Sequence, residues 1–203
     1  GERTFSDIHR GVPSISRALL AERLRQLEHD GVVEKRARSD ASGHDYVLTA
    51  AGEALRPVIE TLGRWGLIYG RDRIRPDEHD PTVLMWALRR RVNRSALPER
   101  RVVVQFSFSG VPRSRTRLQS YWLVLERHGV DVCLKHPGYS VDLTISGPIA
   151  DLVAVYLGYS RWREVACRSL RIEGERSVAR RIESWLQLDR LVARDLPIVP
   201  PAA

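Results

Sequence analysis

Between Ser16 and Gly31 the apolar residues Leu20, Leu24 and Leu27 recur at i, i+4 and i+7, the spacing of one helical face. They predict a helix that turns three leucines inward. Ser16 has the side chain of an N-cap, able to accept an amide proton left free at a helix start, and Gly31 stands where a left-handed backbone ends the helix. The remaining face carries Arg17, Ala18, Ala21, Glu22 and Arg25. Ahead of it, Phe5 and Ile8 are the expected buried positions of a shorter helix, and Gly11-Val-Pro13 breaks the chain. After it, Val32–Arg38 and His44–Leu48 read as two strands joined by the polar turn Ser39-Asp-Ala-Ser-Gly43. Thr49 then predicts the cap of a helix from Ala50 to about Tyr69. Its apolar stripe is Leu55, Val58, Ile59, Leu62 and Trp65, with a bend expected at Pro57.

The stretch Arg71 to Asp80 is charged, nearly free of apolar residues and contains Pro76, which predicts a linker. Asp80-Pro81 predicts an N-cap and first-turn proline for a helix reaching about Asn93. That helix should bury Leu84, Leu88 and Val92 and leave Arg89, Arg90, Arg91 and Arg94 on a solvated outer face. Beyond Pro98 the period drops to two: Val102, Val104, Phe106 and Phe108 alternate with Val103, Gln105 and Ser107. Tyr121–Glu126, Val130–Lys135 and Val141–Ser146 follow with short connections, which favours an antiparallel sheet. Helices through Ile149–Tyr156 and Trp162–Ala166, an edge strand Ser169–Glu173 and a last helix bearing Val178, Ile182 and Trp185 complete the pattern; Pro197, Pro200 and Pro201 make an irregular tail. The expected class is α+β: a helix–helix–hairpin unit, then a mainly antiparallel five-stranded sheet covered by helices. Residues 1–70, 71–80, 81–195 and 196–203 are the expected first domain, linker, second domain and tail.

The residues Phe5-Ser-Asp-Ile8, Ile15–Glu28, Gly31-Val-Val-Glu-Lys-Arg36 and Tyr46-Val-Leu-Thr-Ala-Ala-Gly52 resemble the HxlR family of winged-helix regulators, a branch of the MarR-like group. The resemblance runs from residue 4 to about residue 66. It implies a bacterial homodimer that binds double-stranded DNA and pairs through the helix after Thr49, and a further helix ahead of Phe5 that this sequence does not include. A basic face of short side chains suits the major groove, which places Arg17, Ala18, Ala21, Glu22 and Arg25 at the bases and Ser16 at a phosphate or the helix cap. Arg36, Arg38 and His44, with Lys35, belong to the wing beside the phosphate backbone, where contacts position the protein without reading sequence. Plainer alternatives stand beside these readings: a helix that is simply solvated, and an apolar stripe that packs on the chain's own second half.

The later pattern Val141–Val153, then Leu157-Gly158, then Leu170–Gly174, resembles the sterol carrier protein domain over about residues 82–188. That resemblance implies an apolar tunnel for a lipid-like ligand, which a regulator would sense. Phe106, Phe108, Trp122, Tyr156 and Trp162 are the residues expected to line it, with ordinary core packing as the alternative for each.

Composition adds less. The formal charge of +8 favours a polyanionic partner. Lys and Arg minus Asp and Glu gives 13 − 11 = +2 for residues 1–75 and 20 − 14 = +6 for residues 76–203, so charge does not locate the DNA site. No apolar run reaches membrane-spanning length and no signal peptide opens the chain, so a soluble, cytoplasmic protein without membrane contact is expected. Cys133 and Cys167 share no metal-binding spacing, and no histidine pair, phosphate loop or nucleophile motif is present. Asp131 and Asp142 lie on successive strands and are expected neighbours across the sheet, where surface ion pairing outweighs acid–base chemistry. No enzyme, metal or cofactor is expected. The competing function is a lipid-binding or protein-interaction module whose winged helix serves dimerisation.

Overall fold

A computed structural model of the chain describes residues 4–12, 15–38, 43–70, 75, 78–112 and 119–188. The expected turn at residues 39–42, most of the linker at 71–80 and the tail from residue 196 lie outside the described residues. Contacts divide the chain into Gly1–Gly66 and Leu67–Ala203.

The first unit runs α1 (Phe5–Gly11), α2 (Arg17–His29), β1 (Val33–Ala37), β2 (His44–Leu48), α3 (Ala50–Ala54) and α4 (Arg56–Tyr69), the last crossing the division. Short hydroxyl side chains start three of these helices. Thr4 accepts from the Asp7 amide, Ser16 from Leu19 at 3.2 Å and Thr49 from Gly52 at 3.1 Å, and each such cap is worth ~1 kcal/mol. Gly31 ends α2 with φ +71°, the left-handed conformation its position in the sequence predicts. Thr49 also donates its hydroxyl to the Gly31 carbonyl at 2.5 Å, which seats the start of α3 on the segment joining α2 to β1. Gly52 permits that seating, because a Cβ there would stand 2.1 Å from the Val32 carbonyl oxygen.

Among the described residues, Leu20, Leu24 and Val33 are the large apolar side chains this unit buries. Leu27, the third expected inward leucine, is 39% exposed. It sits in the last turn of α2, and a core of so few residues does not extend that far; Phe5 and Ile8 are likewise only half-buried. The bend expected at Pro57 is instead a break. Proline has no amide hydrogen and clashes with the carbonyl four residues back, so α3 stops at Ala54 and α4 restarts at Arg56.

In the second unit Asp80 caps α5 (Pro81–Arg91), accepting from the Thr82 amide at 2.8 Å and the Val83 amide at 3.4 Å. Then come β3 (Val102–Ser109), β4 (Ser120–Leu125), β5 (Val130–Cys133), β6 (Leu143–Pro148), α6 (Ile149–Tyr156), α7 (Trp162–Arg168), β7 (Arg171–Gly174) and α8 (Arg176–Trp185). The strands form one sheet in the order β5-β4-β3-β6-β7. The sheet is mixed rather than mainly antiparallel, because β3 and β6 pair in parallel at its centre. Residues 134–142 explain the difference: they carry the chain from the β5 edge past β4 and β3, so β6 enters in the direction of β3. The same crossing separates Asp131 from Asp142, expected as neighbours, by two strands; Asp142 instead accepts from Arg100 and from the Val103 amide, both at 2.7 Å.

Antiparallel register puts Val102, Val104 and Phe106 opposite Leu125, Leu123 and Tyr121, all on one face. Those residues are fully buried and join Leu84, Met85 and Leu88 of α5, Ile149, Leu152 and Val155 of α6, Trp162 and Val165 of α7, and Val178, Ile182 and Trp185 of α8 in one core. The buried Tyr121 hydroxyl is paired with Thr82 Oγ1 at 2.7 Å, tying α5 to β4. Two arginines of α5 depart from the expected solvated face. Arg89 donates to the Val130 carbonyl at 2.5 Å. Arg91 lies 3.8 Å over the Tyr156 ring and donates to its carbonyl at 2.7 Å, and burial holds its guanidinium pKa below the ordinary value. Long aliphatic stems let both side chains pack before their charged ends are satisfied.

Candidate nucleic-acid interface

Helix α2 is anchored by Leu20 and Leu24, so at ~3.6 residues per turn its opposite side is Ala18, Glu22, Arg25 and His29, with Gln26 beside them. All five are exposed. Ala18 and the nearby Ala21, which is half-buried, keep the middle of this side low, while Glu22 and Arg25 project beyond it. Ser16 is placed at the helix start and spends its hydroxyl on the Leu19 amide. Arg17 is exposed, yet it lies nearer the anchored side: its guanidinium stands 5.0 Å over the Phe5 ring of α1, a cation–π contact that fixes its direction. The structure therefore brings Ala18, Glu22 and Arg25 together and sets Arg17 apart from them. Sequence reasoning passed over His29 and Gln26; His29 was recoverable as the residue one turn beyond Arg25 on the same side.

The hairpin stands beside the helix with Val33 opposite Leu48, Lys35 opposite Tyr46 and Ala37 opposite His44. Thr4 bridges to Asp45, which ties α1 to the outer strand. Lys35 and His44 are exposed. Arg36 is exposed and pairs with Glu34, two residues back on the same strand. Arg38 is half-buried, with its Nε 4.0 Å from Asp45. The exposed Arg36 pair contributes ~0–1 kcal/mol, so that arginine is not strongly held by its carboxylate.

The helix, the turn closed by Gly31 and the two-stranded hairpin are the parts of a winged helix-turn-helix, and a family model agrees: HxlR-like helix-turn-helix, over residues 1–73. The first unit is an HxlR-like helix-turn-helix. Curated relatives of this part include an HTH-type transcriptional regulator of Methanothermobacter thermautotrophicus, 30% identical over 82 residues, covering 40% of this chain and 63% of that protein. The HTH-type transcriptional regulator YvaP of Bacillus subtilis is 35% identical over 66 residues, covering 32% of this chain and 61% of that protein. The chain thus spans about three-fifths of the length of these relatives. Among solved structures, the UbiJ-SCP2 ubiquinone synthesis protein aligns at 18% identity over 68% of this chain and 97% of its own, with a TM-score of 0.33.

The residues expected to line a tunnel in the second unit do not surround one space. Phe106, Phe108 and Trp162 are buried in the shared core, with Phe106 and Phe108 stacked at 6.2 Å and Phe108 edge-on to Tyr121 at 5.8 Å. Trp122 is opposite Gln105 in the register, so it faces away from that core. Its ring meets His136 of the crossing segment at 5.6 Å, and the buried indole Nε1 makes no hydrogen bond among the described residues. Tyr156 borders a cleft of about 170 Å³ between α5 and α6. Two further observations concern chemistry. No group of three His, Cys, Asp or Glu side chains among the described residues is placed to hold a metal. No helix among them is long and apolar enough to cross a membrane.

Proposed function

We propose that the chain is a DNA-binding transcription regulator that works as a homodimer, with its second unit binding a small molecule. The observation that carries the reading is the outward side of α2, where two small residues flank Glu22 and Arg25 on a helix pinned from behind by Leu20 and Leu24. That profile suits a major groove, in which Arg25 is the residue to reach a base edge and Glu22 to accept from a cytosine amino group. Arg17, held on Phe5, is better suited to a phosphate at the groove edge, with Lys35, Arg36, Arg38 and His44 of the hairpin acting on the backbone. Releasing Arg36 from its exposed pair with Glu34 to meet a phosphate costs little.

Dimerisation is supported by what the first unit leaves uncovered. Its buried core is small, while Val58, Ile59, Leu62 and Trp65 of α4 are all more than half exposed, and Pro57, Val58, Thr61, Leu62 and Trp65 border a broad apolar hollow of about 660 Å³. An apolar face of that extent on one helix is the mark of an association surface. A twofold pair would present its two α2 helices to successive turns of the major groove, ~34–36 Å apart. Gel-shift titration of the full chain against duplexes from its own upstream region tests the reading. Retarded complexes that require a pseudo-palindrome support it, and equal affinity for any duplex would refute it.

A further inference from the structure

We infer that Phe5 of α1, backed by His9, is a positioning residue for DNA contact: its ring holds Arg17, the first residue of α2, ready for a backbone phosphate. The inference rests on the regulator reading above. Phe5 and His9 are one turn apart and share a side of α1. Their rings stack, with centroids 6.4 Å apart and planes 5° from parallel. The Arg17 guanidinium stands 5.0 Å over the Phe5 ring. His9 also donates from Nε2 to the Ile15 carbonyl at 3.1 Å, and Ile15 directly precedes the Ser16 cap. The ring that backs Phe5 therefore also ties down the entrance to α2. Phe5 is fixed from its other neighbour by Thr4, which caps α1 and bridges to Asp45 of β2.

The way Arg17 is held sets it apart from its neighbours. Arg10 pairs with Asp7, Arg36 with Glu34 and Arg56 with Glu53. Arg17 is exposed and makes no ion pair or hydrogen bond among the described residues; what it meets is the face of a ring. A carboxylate would orient the guanidinium but offset its charge and occupy the N–H groups that a phosphate needs. A ring orients it through its face and leaves the N–H edge open for two parallel bonds to phosphate oxygens. Fixing the direction beforehand also lowers the ordering cost that a long side chain meets on binding. The plainer role for Phe5 is a half-buried member of a small core, and the two roles differ in one consequence. A core role lowers DNA affinity whether or not Arg17 is present; a positioning role acts only through Arg17.

The test measures affinity of the full chain for its upstream duplex in the wild type, Phe5→Leu, Phe5→Tyr, Arg17→Ala and the Phe5→Leu/Arg17→Ala pair. Nuclear magnetic resonance of the arginine side chains in the DNA-free protein accompanies it. Arg17→Ala should weaken binding about fivefold or more and lower the salt slope by about one. Phe5→Leu should weaken it about threefold, Phe5→Tyr should bind as the wild type does, and Phe5→Leu added to Arg17→Ala should weaken binding no further. Without DNA, the ring current of Phe5 should move the Arg17 δ protons upfield of those of other exposed arginines, a shift lost in Phe5→Leu and kept in Phe5→Tyr. A Phe5→Leu loss of equal size with and without Arg17 overturns the inference alone. So does a wild-type Arg17 that lacks the upfield shift, a result that needs no variant to fold. A wild-type chain that shows the shift yet binds no duplex refutes the regulator reading, and the inference falls with it.

Discussion

Truncating Leu62 should separate the proposed homodimer. Leu62→Ala removes three carbon groups, worth ~2.4 kcal/mol if all their surface left water, at ~0.8 kcal/mol per group. Leu62 is 59% exposed in the single chain, so that share is still to be buried: ~1.4 kcal/mol per chain. A twofold interface counts the loss twice, giving ~3 kcal/mol, or about a hundredfold in the dimer dissociation constant. Sedimentation velocity across a concentration series reads this directly, with Leu134→Ala as the control because Leu134 is a comparably exposed leucine on the crossing segment of the second unit. Monomeric wild-type protein at every concentration would refute the reasoning. So would a midpoint that Leu62→Ala does not move, or that Leu134→Ala moves as far.

Three further outcomes follow from the same structure. Gly52→Ala should destabilise the first unit by ~1–3 kcal/mol or more in urea unfolding, since its Cβ would collide with the Val32 carbonyl rather than with a yielding side chain. Tyr121→Phe should cost ~1–3 kcal/mol by removing the partner of the buried Thr82 hydroxyl, and the double variant with Thr82→Val should cost less than the sum of the two single changes, because the two hydroxyls share one hydrogen bond. Burial, helped by Asp131, raises the Cys133 thiol pKa above its ordinary value, so its thiolate fraction at pH 8 is reduced. Iodoacetamide should therefore label the exposed Cys167 first, with Cys133 catching up as pH rises.

Local rules carried much of the first unit. Ser16, Thr49 and Gly31 do at their positions what such residues do at helix ends in general, and the alternation in 33–48 was enough for the hairpin. Periodicity misled where it does not report distance to a core: Leu27 keeps the spacing of Leu20 and Leu24 but lies beyond the small cluster that covers them. In the second unit, strand positions were legible and strand order was not. Nothing in the composition of residues 134–142 marks them as a crossing rather than a turn, and that one connection moved β6 to the far side of β3; Trp122 lies on the other face from Phe106 because it pairs with Gln105 across β3 and β4.

The account turns on Arg25 reading bases from the outward side of α2. Fluorescence anisotropy of the full chain on its upstream duplex and on a scrambled duplex, at two salt concentrations, tests it with Arg25→Ala and Lys35→Ala. Arg25→Ala should lose ~1–3 kcal/mol on the upstream duplex and little on the scrambled one, while Lys35→Ala weakens both alike and flattens the salt dependence. If Arg25→Ala binds both duplexes as tightly as the wild type, α2 does not face DNA and the regulator assignment fails.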